Sequence, residues 1–250
     1  MAASGVHSGH DTPGAAAAAD GEGAGWLRNA ADYAWEFLRR NPDYRADYAQ
    51  STNGVGAINA RWGLGLPADP AAPARSAEVF WRPDVAPAIV LPLEAGRMDG
   101  GPTARELRTF GQPKAGQGGS YMRLAGGLQV LLRGDARPEG PLVVVLALDA
   151  DFGLRVRGAQ ALHQVTRGVP APPSRLKPAQ RLRLDRSLLA LDGSLRRENY
   201  REIARALFGP GAVEDEPWKT ASLRDVTIRL VRTGRELMRG GYLRLLKGGL

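Results

Sequence analysis

The sequence predicts an α+β protein: an N-terminal helical segment, a small antiparallel or mixed sheet with one covering helix, and a C-terminal three-helix domain resembling a helix-turn-helix. Three observations support this prediction. Apolar residues recur at helical spacing near both ends of the chain, and short apolar runs bounded by Pro and Gly fill the middle. Basic residues are concentrated in the C-terminal third.

Four parts are expected along the chain. We interpret residues 1–25 as a disordered tail, 26–76 as a helical segment with a linker, 77–168 as a small α/β domain, and 174–250 as a basic helical domain. The tail lacks the charged start and apolar stretch of a secretory signal. No apolar run approaches the roughly 18–20 residues of a membrane span. The absence of cysteine suits a reducing cytoplasm, so a cytoplasmic, nucleoid-associated protein is expected.

The first helical segment carries aromatic and small residues at three- and four-residue steps, which is the spacing of one helix face. These residues are Trp26, Ala30, Tyr33, Ala34 and Phe37. The helix should stop before Pro42, because the residue before a proline disfavours helical backbone angles. A second short helix is expected from Pro42 or Asp43 to about Tyr48, and Trp62 in the following linker is expected to dock onto another part of the molecule.

The middle of the chain predicts short strands. Glu78–Trp81 and Ala88–Leu93 are bounded or interrupted by prolines, which favours short or edge strands. Residues 95–119 are rich in glycine and are expected to be mostly loop. A β-hairpin is predicted around Gly126-Gly127, because two glycines tolerate the positive φ angles of a tight turn. Leu142–Leu148 predicts a strand, and residues 149–166 predict the covering helix.

No constellation for catalysis is evident. Asp149 and Asp151 could be read as a paired-carboxylate metal site, but capping of the following helix is favoured, because no third ligand stands at a coordinating spacing. His163 has no nucleophile or acid partner nearby in the sequence and is interpreted as structural. The glycine-rich stretches do not match a phosphate-binding loop. We therefore predict that the protein is not an enzyme and has no cofactor or metal.

The charge of the chain is concentrated in residues 174–250. They hold 17 Lys and Arg against 9 Asp and Glu, and this difference equals the net charge of +8 of the whole chain. Arginine binds phosphate groups through two parallel hydrogen bonds, so the excess favours a polyanionic partner. A solvated basic face without a function is the alternative interpretation.

Three helices are expected in this basic region. The first runs from about Pro178 to Leu191, where Asp192-Gly193 should end it, and the second runs from Asn199 to Phe208 with Asn199 and Glu202 as a capping box. The third should begin between Lys219 and Ser222 and continue to Arg239. If it spans residues 222 to 239 it is about 27 Å long.

The third helix is expected to carry its arginines on one side. Drawn at about 100° per residue, four of its arginines share an arc of about 80°, and its core-facing residues lie well away from that arc. The arginines are Arg224, Arg232, Arg235 and Arg239, and the core-facing residues are Leu223, Val226, Leu230 and Leu237. Arg229 falls between the two sets, near Asp225 and Glu236, where an ordinary surface residue is expected.

Two short helices with a tight break, the second rich in arginine, predict a helix-turn-helix whose later helix enters the major groove. The expected DNA-binding residues are Lys219, Thr220, Ser222, Arg224, Arg229, Arg232, Arg235 and Arg239. Those at the helix start, up to Arg224, are expected to face bases, and Arg232, Arg235 and Arg239 to face phosphate or a second surface. A protein-interaction module that binds an acidic regulator is the alternative function, and an enzyme acting on nucleic acid would need acids and metal ligands that the sequence lacks.

Several segments resemble known regulators. Tyr200–Gly209 resembles the first helix of helix-turn-helix domains in sigma-factor region four. The C-terminal region resembles a proteobacterial domain of transcriptional activators of the RovC and FseA type, at Pro217–Thr220, Ser222–Asp225, Thr227–Arg232, Gly234-Arg235, Leu237-Met238 and Gly240–Tyr242. The N-terminal segment resembles the regulator-like domain that precedes it in such proteins, at Tyr33–Tyr44, Ala60–Leu64 and Phe80–Asp84.

The resemblance covers most of residues 26–247 and is weakest over 95–119. It implies a DNA-binding transcriptional activator that self-associates. The partners expected are therefore double-stranded DNA and further copies of the chain, with no membrane, and a contact with RNA polymerase is left open.

Overall fold

A computed structural model describes residues 29–51, 60–97, 100–134, 140–169, 176–214, 218 and 222–249. These residues form the α+β fold that the sequence predicts, with helices at both ends and a sheet of five strands in between. The predicted tail, residues 1–25, lies outside the described residues, as does Trp26. No helix within the described ranges is long and apolar enough to cross a membrane.

The two N-terminal helices form where the sequence predicts them. Helix α1 spans Ala30–Leu38, and the Asn29 side chain caps it by accepting hydrogen bonds from the backbone N–H groups of Ala31 and Asp32. Helix α2 spans Pro42–Gln50 and has Asn41 as its cap. Asparagine oxygens satisfy N–H groups that have no partner in the first turn of a helix, and proline suits its first position. The break before Pro42 is confirmed.

The segment expected to be a linker is packed along the part that the structure describes. Residues 60–81, here called the strap, run across α1 and α2 and bury Trp62, Leu64 and Phe80. The expected docking of Trp62 is confirmed, because its indole N–H donates to Asp47 Oδ2 at 2.8 Å and its ring meets Tyr44 edge to face. The strap forms only an isolated bridge between Leu64 and Trp81 instead of the strand expected at residues 78–81.

The sheet has the order β2-β3-β4-β1-β5. The strands are β1 (Val90–Ala95), β2 (Lys114–Gly116), β3 (Gly119–Arg123), β4 (Gln129–Leu132) and β5 (Leu142–Val144). Strand β1 runs parallel to β4 and antiparallel to β5, and the other pairs are antiparallel, so the sheet is mixed.

The proline-containing strands were expected to be short or to lie at an edge; β1 is six residues long and is not an edge strand, because it lies between β4 and β5. The carbonyl of Pro92 accepts a hydrogen bond from Val145 N, so the nitrogen of Pro92 faces the β5 side as well. Strand β5 ends at Val144. Val145, which lies opposite Pro92 just after β5, donates the one hydrogen bond that Pro92 can accept, so the proline costs the sheet only the bond that it would have donated.

The predicted hairpin is confirmed. Strands β3 and β4 pair around Gly126 (φ 74°) and Gly127 (φ 85°), which both adopt the left-handed backbone region. The loop expected over 95–119 is partly structured, because α3 (Ala104–Leu107) and β2 form within it, and Leu107 is fully buried. The strand expected to extend to Leu148 ends at Val144, and Leu148 is exposed.

One face of the sheet is covered by α4 (Phe152–Thr166), which buries Leu162 and Val165 against it. The capping role favoured for the preceding aspartates is wrong for Asp151, whose side chain makes no capping hydrogen bond. Asp149 instead accepts from Asp151 N and forms an ion pair with Arg155 at 2.7 Å. Hydrogen bonds from the Arg155 guanidinium lower the pKa of the Asp149 carboxyl.

The C-terminal region contains α5 (Pro178–Leu195), α6 (Tyr200–Phe208), α7 (Pro210–Glu214), α8 (Ser222–Glu236) and α9 (Tyr242–Leu246). The capping box of Asn199 and Glu202 at the start of α6 is confirmed. Helix α5 continues past the expected stop at Asp192-Gly193, because Gly193 faces α6. A Cβ atom there would lie 2.8 Å from Ile203 Cγ1, so the glycine serves close packing instead of ending the helix.

Helix α8 ends at Glu236 and not at Arg239. A widened turn over Leu237–Gly241, here called the elbow, separates it from α9. Gly240 has φ 127°, a backbone conformation open mainly to glycine, so the chain changes direction there. Gly234 of α8 packs closely against α5: a Cβ atom there would lie 2.6 Å from Ser187 O.

The main hydrophobic core joins the two ends of the chain. It contains residues of α1, α2 and the strap together with Leu184, Leu188 and Leu191 of α5 and Leu237, Met238 and Tyr242 of the elbow and α9. Polar bonds cross the same contact: Asn41 Nδ2 donates to Met238 O at 2.9 Å, and the Tyr242 hydroxyl donates to Trp62 O at 3.0 Å.

A second polar link fixes α1 to α5. Arg40 binds both carboxylate oxygens of Asp192, at 2.6 and 2.9 Å, and also the buried carboxylate of Glu36. Tyr33 donates to Asp185 at 2.6 Å. Burial opposes the charge of Arg40, but the two carboxylates outweigh it and raise the pKa of the guanidinium. Each partner therefore depends on the others, since an unpaired buried charge is costly.

We expect Gly234→Ala to destabilise the protein by about 1–3 kcal/mol, because the added methyl group would collide with a backbone carbonyl of α5. Gly211→Ala is the matched control, since a Cβ atom there meets no atom within 4 Å. Urea unfolding measures both variants. Equal midpoints for the two would contradict the close α5–α8 packing.

We also expect a fragment of residues 174–250 not to fold cooperatively, because much of the apolar surface of α5, the elbow and α9 is buried by α1 and the strap. Unfolding of the fragment followed by near-ultraviolet circular dichroism tests this expectation against the full chain. A sharp two-state transition of the fragment would show that the C-terminal region is autonomous.

Candidate nucleic-acid interface

The candidate interface is formed by α8 and the two helices that support it, α5 and α6. Helix α5 packs against both α6 and α8, and α6 also contacts α8, so the three helices form a compact bundle. A small apolar cluster of Ala190, Ile203, Leu230 and Val231 lies where they meet. The bundle fixes one side of α8 and leaves the other side open.

The tight break expected between α6 and the third helix is not observed. Helix α6 stops at Gly209, whose φ of 89° ends it firmly, but α7 begins at the next residue. The connection therefore spans residues 209–221, several times the three- or four-residue turn of a standard helix-turn-helix. Compared with a standard helix-turn-helix, the bundle has the same two crossing helices but a longer connection between them.

The buried face of α8 is rotated by about 50° from the expected one. Its members are Thr227, Leu230, Val231 and Gly234, followed by Leu237 and Met238 in the elbow. Of the residues expected to face the core, Leu230 and Leu237 are buried, whereas Leu223 and Val226 are half-buried. The rotation moves two of the arginines, Arg224 and Arg235, toward the edge of the packed face.

The arginines of α8 differ in their surroundings. Arg229, Arg232 and Arg239 are exposed, and none of the three has a hydrogen-bond or ion-pair partner in the described ranges. Arg224 is half-buried and lies 3.6 Å from Asp225. Arg235 donates two hydrogen bonds to Ser194 Oγ at the end of α5, at 3.0 and 2.6 Å.

The remaining expected site residues lie at the start of α8. Ser222 is exposed and opens the helix. Lys219 and Thr220 lie outside the described residues. The structure therefore places Ser222, Arg224, Arg229, Arg232 and Arg235 on α8 and Arg239 in the elbow, and it brings the last three of these around one cleft.

This cleft, the elbow cleft, lies between the C-terminal half of α8 and α9 and has a volume of about 790 Å³. Arg232, Arg235, Arg239 and Arg244 surround it, Ile228 and Val231 form an apolar part of its wall, and Tyr200 contributes from the start of α6. Arg244 pairs with Glu236 at 2.5 Å, and this contact lowers the pKa of the glutamate.

Two residues that line the cleft, Arg244 and Tyr200, were not among the predicted site residues. Arg244 follows two glycines and lies beyond the expected end of the third helix, so no helical wheel places it beside Arg232. Tyr200 is the first residue of α6 and is 40 % exposed. The double glycine at 240–241 was the signal that the chain could turn back at this point.

Within the described residues, no group of three or more His, Asp or Glu side chains is placed to hold a metal ion. Asp149 is engaged by Arg155, and Lys247 pairs with Asp151 at 2.6 Å. Asp149 and Asp151 therefore each form an ion pair with a basic side chain.

Two family models match the chain. Residues 145–247 match the model described as the DNA-binding domain of a T6SS transcription factor, the RovC DNA-binding domain. Residues 27–67 match the model of the proteobacterial transcriptional regulator-like domain. No curated protein matches the chain.

The chain is therefore a transcriptional regulator with a DNA-binding domain, and DNA is its partner. More closely, the matches to the RovC DNA-binding domain and to the proteobacterial regulator-like domain confirm the resemblance found in the sequence. The bundle of α5, α6 and α8 and the elbow cleft all lie within the matched region 145–247.

The bond between Arg235 and Ser194 gives a testable expectation. Ser194→Ala keeps the charge of Arg235 but removes the acceptor that orients it, so we expect random-duplex affinity to fall about two- to threefold, and Arg235→Ala to lower it about five- to tenfold. Fluorescence anisotropy measures both, with Ser76→Ala on the strap as the matched control. Unchanged affinity for Ser194→Ala would mean that this bond does not orient the guanidinium for DNA.

Proposed function

We propose that the protein is a transcriptional activator that reads double-stranded DNA with α8. The observation that carries this proposal is the division of α8 into two sides: one is packed against α5 and α6, and the other presents Arg229 and Arg232 without partners among the described residues. A helix supported from behind, with basic side chains in front, is the geometry that enters a major groove.

The first two turns of α8 are proposed to contact bases. Ser222 and Arg224 stand at the start of the helix, and recognition helices contact base edges mainly through their N-terminal residues. Arg224 can present two parallel N–H groups to the O6 and N7 acceptors of guanine. Lys219 and Thr220, which precede the helix, are proposed to act with them.

The later arginines are proposed to bind the phosphate backbone. Helix α8 is about 22 Å long, whereas the major groove is about 12 Å wide, so its second half lies over the backbone when its first half is in the groove. Arg232, Arg235 and Arg239 belong to this second half and the elbow. Arg229 lies between the two sets and is proposed to contact either the groove wall or phosphate.

The finer assignments follow from the family resemblance and are part of the same proposal. Activation, self-association and a location in the cytoplasm at the nucleoid are proposed on that basis, with RNA polymerase as the partner through which activation would act. The four-part division of the chain at residues 25, 76 and 168 and the absence of catalysis also remain proposals. The shared core supports a DNA-binding unit that includes the N-terminal helices.

The alternative is a module that holds an acidic protein with the same arginines. The guanidinium groups without partners among the described residues could bind either DNA or an acidic protein. The two functions predict different salt dependence of binding and different competition by random duplex. Binding of random duplex with a log–log salt slope of several units supports DNA. Failure of the full chain to bind any duplex at low salt would reject the DNA-reading proposal.

The base-reading assignment has its own test. After selection of a preferred site from a random duplex library, we expect Arg224→Ala to weaken binding to that site by about 1–3 kcal/mol and to affect random duplex little. Arg239→Ala should weaken binding to all sequences alike and reduce the salt slope by about 1. Anisotropy titrations on both duplexes measure this difference, and equal losses on both for Arg224→Ala would contradict base contact.

A further inference from the structure

The elbow cleft carries an inference that rests on the proposed function and extends it beyond α8. We propose that this cleft holds a backbone phosphate of the bound duplex, and that Arg244 of α9 is one of its ligands. In the free protein Arg244 is held by Glu236. On binding, the phosphate replaces the carboxylate as the partner of the guanidinium.

The first argument is the path of the chain. In an uninterrupted helix, residues eight positions apart are separated by about 12 Å along the axis. Glu236 and Arg244 are eight positions apart, yet Oε1 and Nη2 lie 2.5 Å from each other. The widened turn at Leu237–Gly241, with Gly240 at φ 127°, makes this contact possible. The turn therefore returns a fourth arginine to the side of Arg232 and Arg239.

The second argument is charge. Four guanidinium groups and one carboxylate surround the cleft, so its lining carries an excess of three positive charges. Arg232 and Arg239 have no hydrogen-bond or ion-pair partner in the part of the chain that the structure describes. Like charges gathered around one cleft repel each other, and an anion that enters the cleft relieves the repulsion. Guanidinium groups match phosphate oxygens in geometry as well as in charge.

The spacing of the arginines along α8 favours duplex DNA as the source of the phosphate. Arg224 and Arg232 are about 12 Å apart along α8, which is close to the width of the major groove. When the start of α8 contacts bases, the cleft therefore lies over one flanking strand. A free nucleotide shares the phosphate chemistry, and the experiment separates the two sources.

The test uses the full-length protein and a labelled random duplex, titrated by fluorescence anisotropy across a salt series. Removal of one phosphate contact should reduce the log–log slope by about 0.9 and lower the affinity about five- to tenfold near 0.1 M salt. We expect this result for Arg244→Ala. Arg133→Ala is the matched control, because Arg133 directly follows β4, has a side chain that is 45 % exposed and also faces one acid, Glu94.

Two further variants keep the test decisive if Arg244→Ala does not fold. Glu236→Gln removes the competing carboxylate and should tighten duplex binding about two- to fivefold. Arg244→Lys keeps the charge but not the two-pronged geometry, and should weaken binding less than alanine does. An unchanged affinity for Glu236→Gln, or a loss for Arg244→Ala equal to that of the control, would overturn the proposal.

The outcomes separate this inference from the proposed function. If the wild-type chain does not bind duplex at all, the proposed function fails. If it binds duplex and the Arg244 and Glu236 variants behave like the control, only the phosphate assignment fails. A competition arm with ATP tests the other source: displacement of duplex at micromolar ATP that depends on Arg244 would make the cleft a nucleotide site and overturn the assignment to the duplex backbone.

Discussion

The packing of α1 and the strap against the elbow and α9 is the contact on which the arrangement of the C-terminal helices depends. Met238 and Tyr242 are buried in this contact, and Asn41 binds the carbonyl of Met238 at 2.9 Å. A buried carbonyl in a widened turn needs a donor, because an unsatisfied one costs about 1–3 kcal/mol. The N-terminal segment supplies that donor and the apolar surface on which the turn rests.

The same contact connects two segments that family comparison treats as separate. The regulator-like domain, matched over residues 27–67, has no separate core in the described structure, because its aromatic residues are buried together with α5, the elbow and α9. Arg40 adds a bidentate bond to Asp192. The N-terminal segment therefore sets the direction of the chain after α8 and, with it, the shape of the elbow cleft.

Much of this fold could be predicted from local sequence. Asn199 marks the start of α6 by chemistry that acts within three residues, and the glycine pair at 126–127 marks its hairpin in the same way. The sequence predictions were wrong where contacts with residues distant in the sequence determine the local structure. Gly193 was taken as a helix stop because its neighbour Ile203, ten positions away, is not visible in a local pattern. Pro92 lies in an interior strand, where Val145 from a distant part of the chain still donates to its carbonyl.

The candidate site shows the same limit. The periodicity of α8 located its arginines but misplaced its buried face by about 50°, because α5 contacts Gly234, which a hydrophobicity pattern does not count as a core residue. The approach of Arg244 to Glu236 depends on the φ angle of Gly240, which the sequence permits without requiring. The sequence alone shows that this surface is rich in arginine. Tertiary packing determines which of the arginines lie together around the elbow cleft.

The hydrogen bond between Asn41 and Met238 joins residues that are 197 positions apart in the sequence. This separation affects how the protein folds during its synthesis. At translation rates of about 5–20 residues per second, the N-terminal helices leave the ribosome about 10–40 s before the residues they must cover. During that interval the aromatic side chains of α1 and the strap lack their final cover. A chain truncated before the elbow would therefore leave these aromatic side chains exposed.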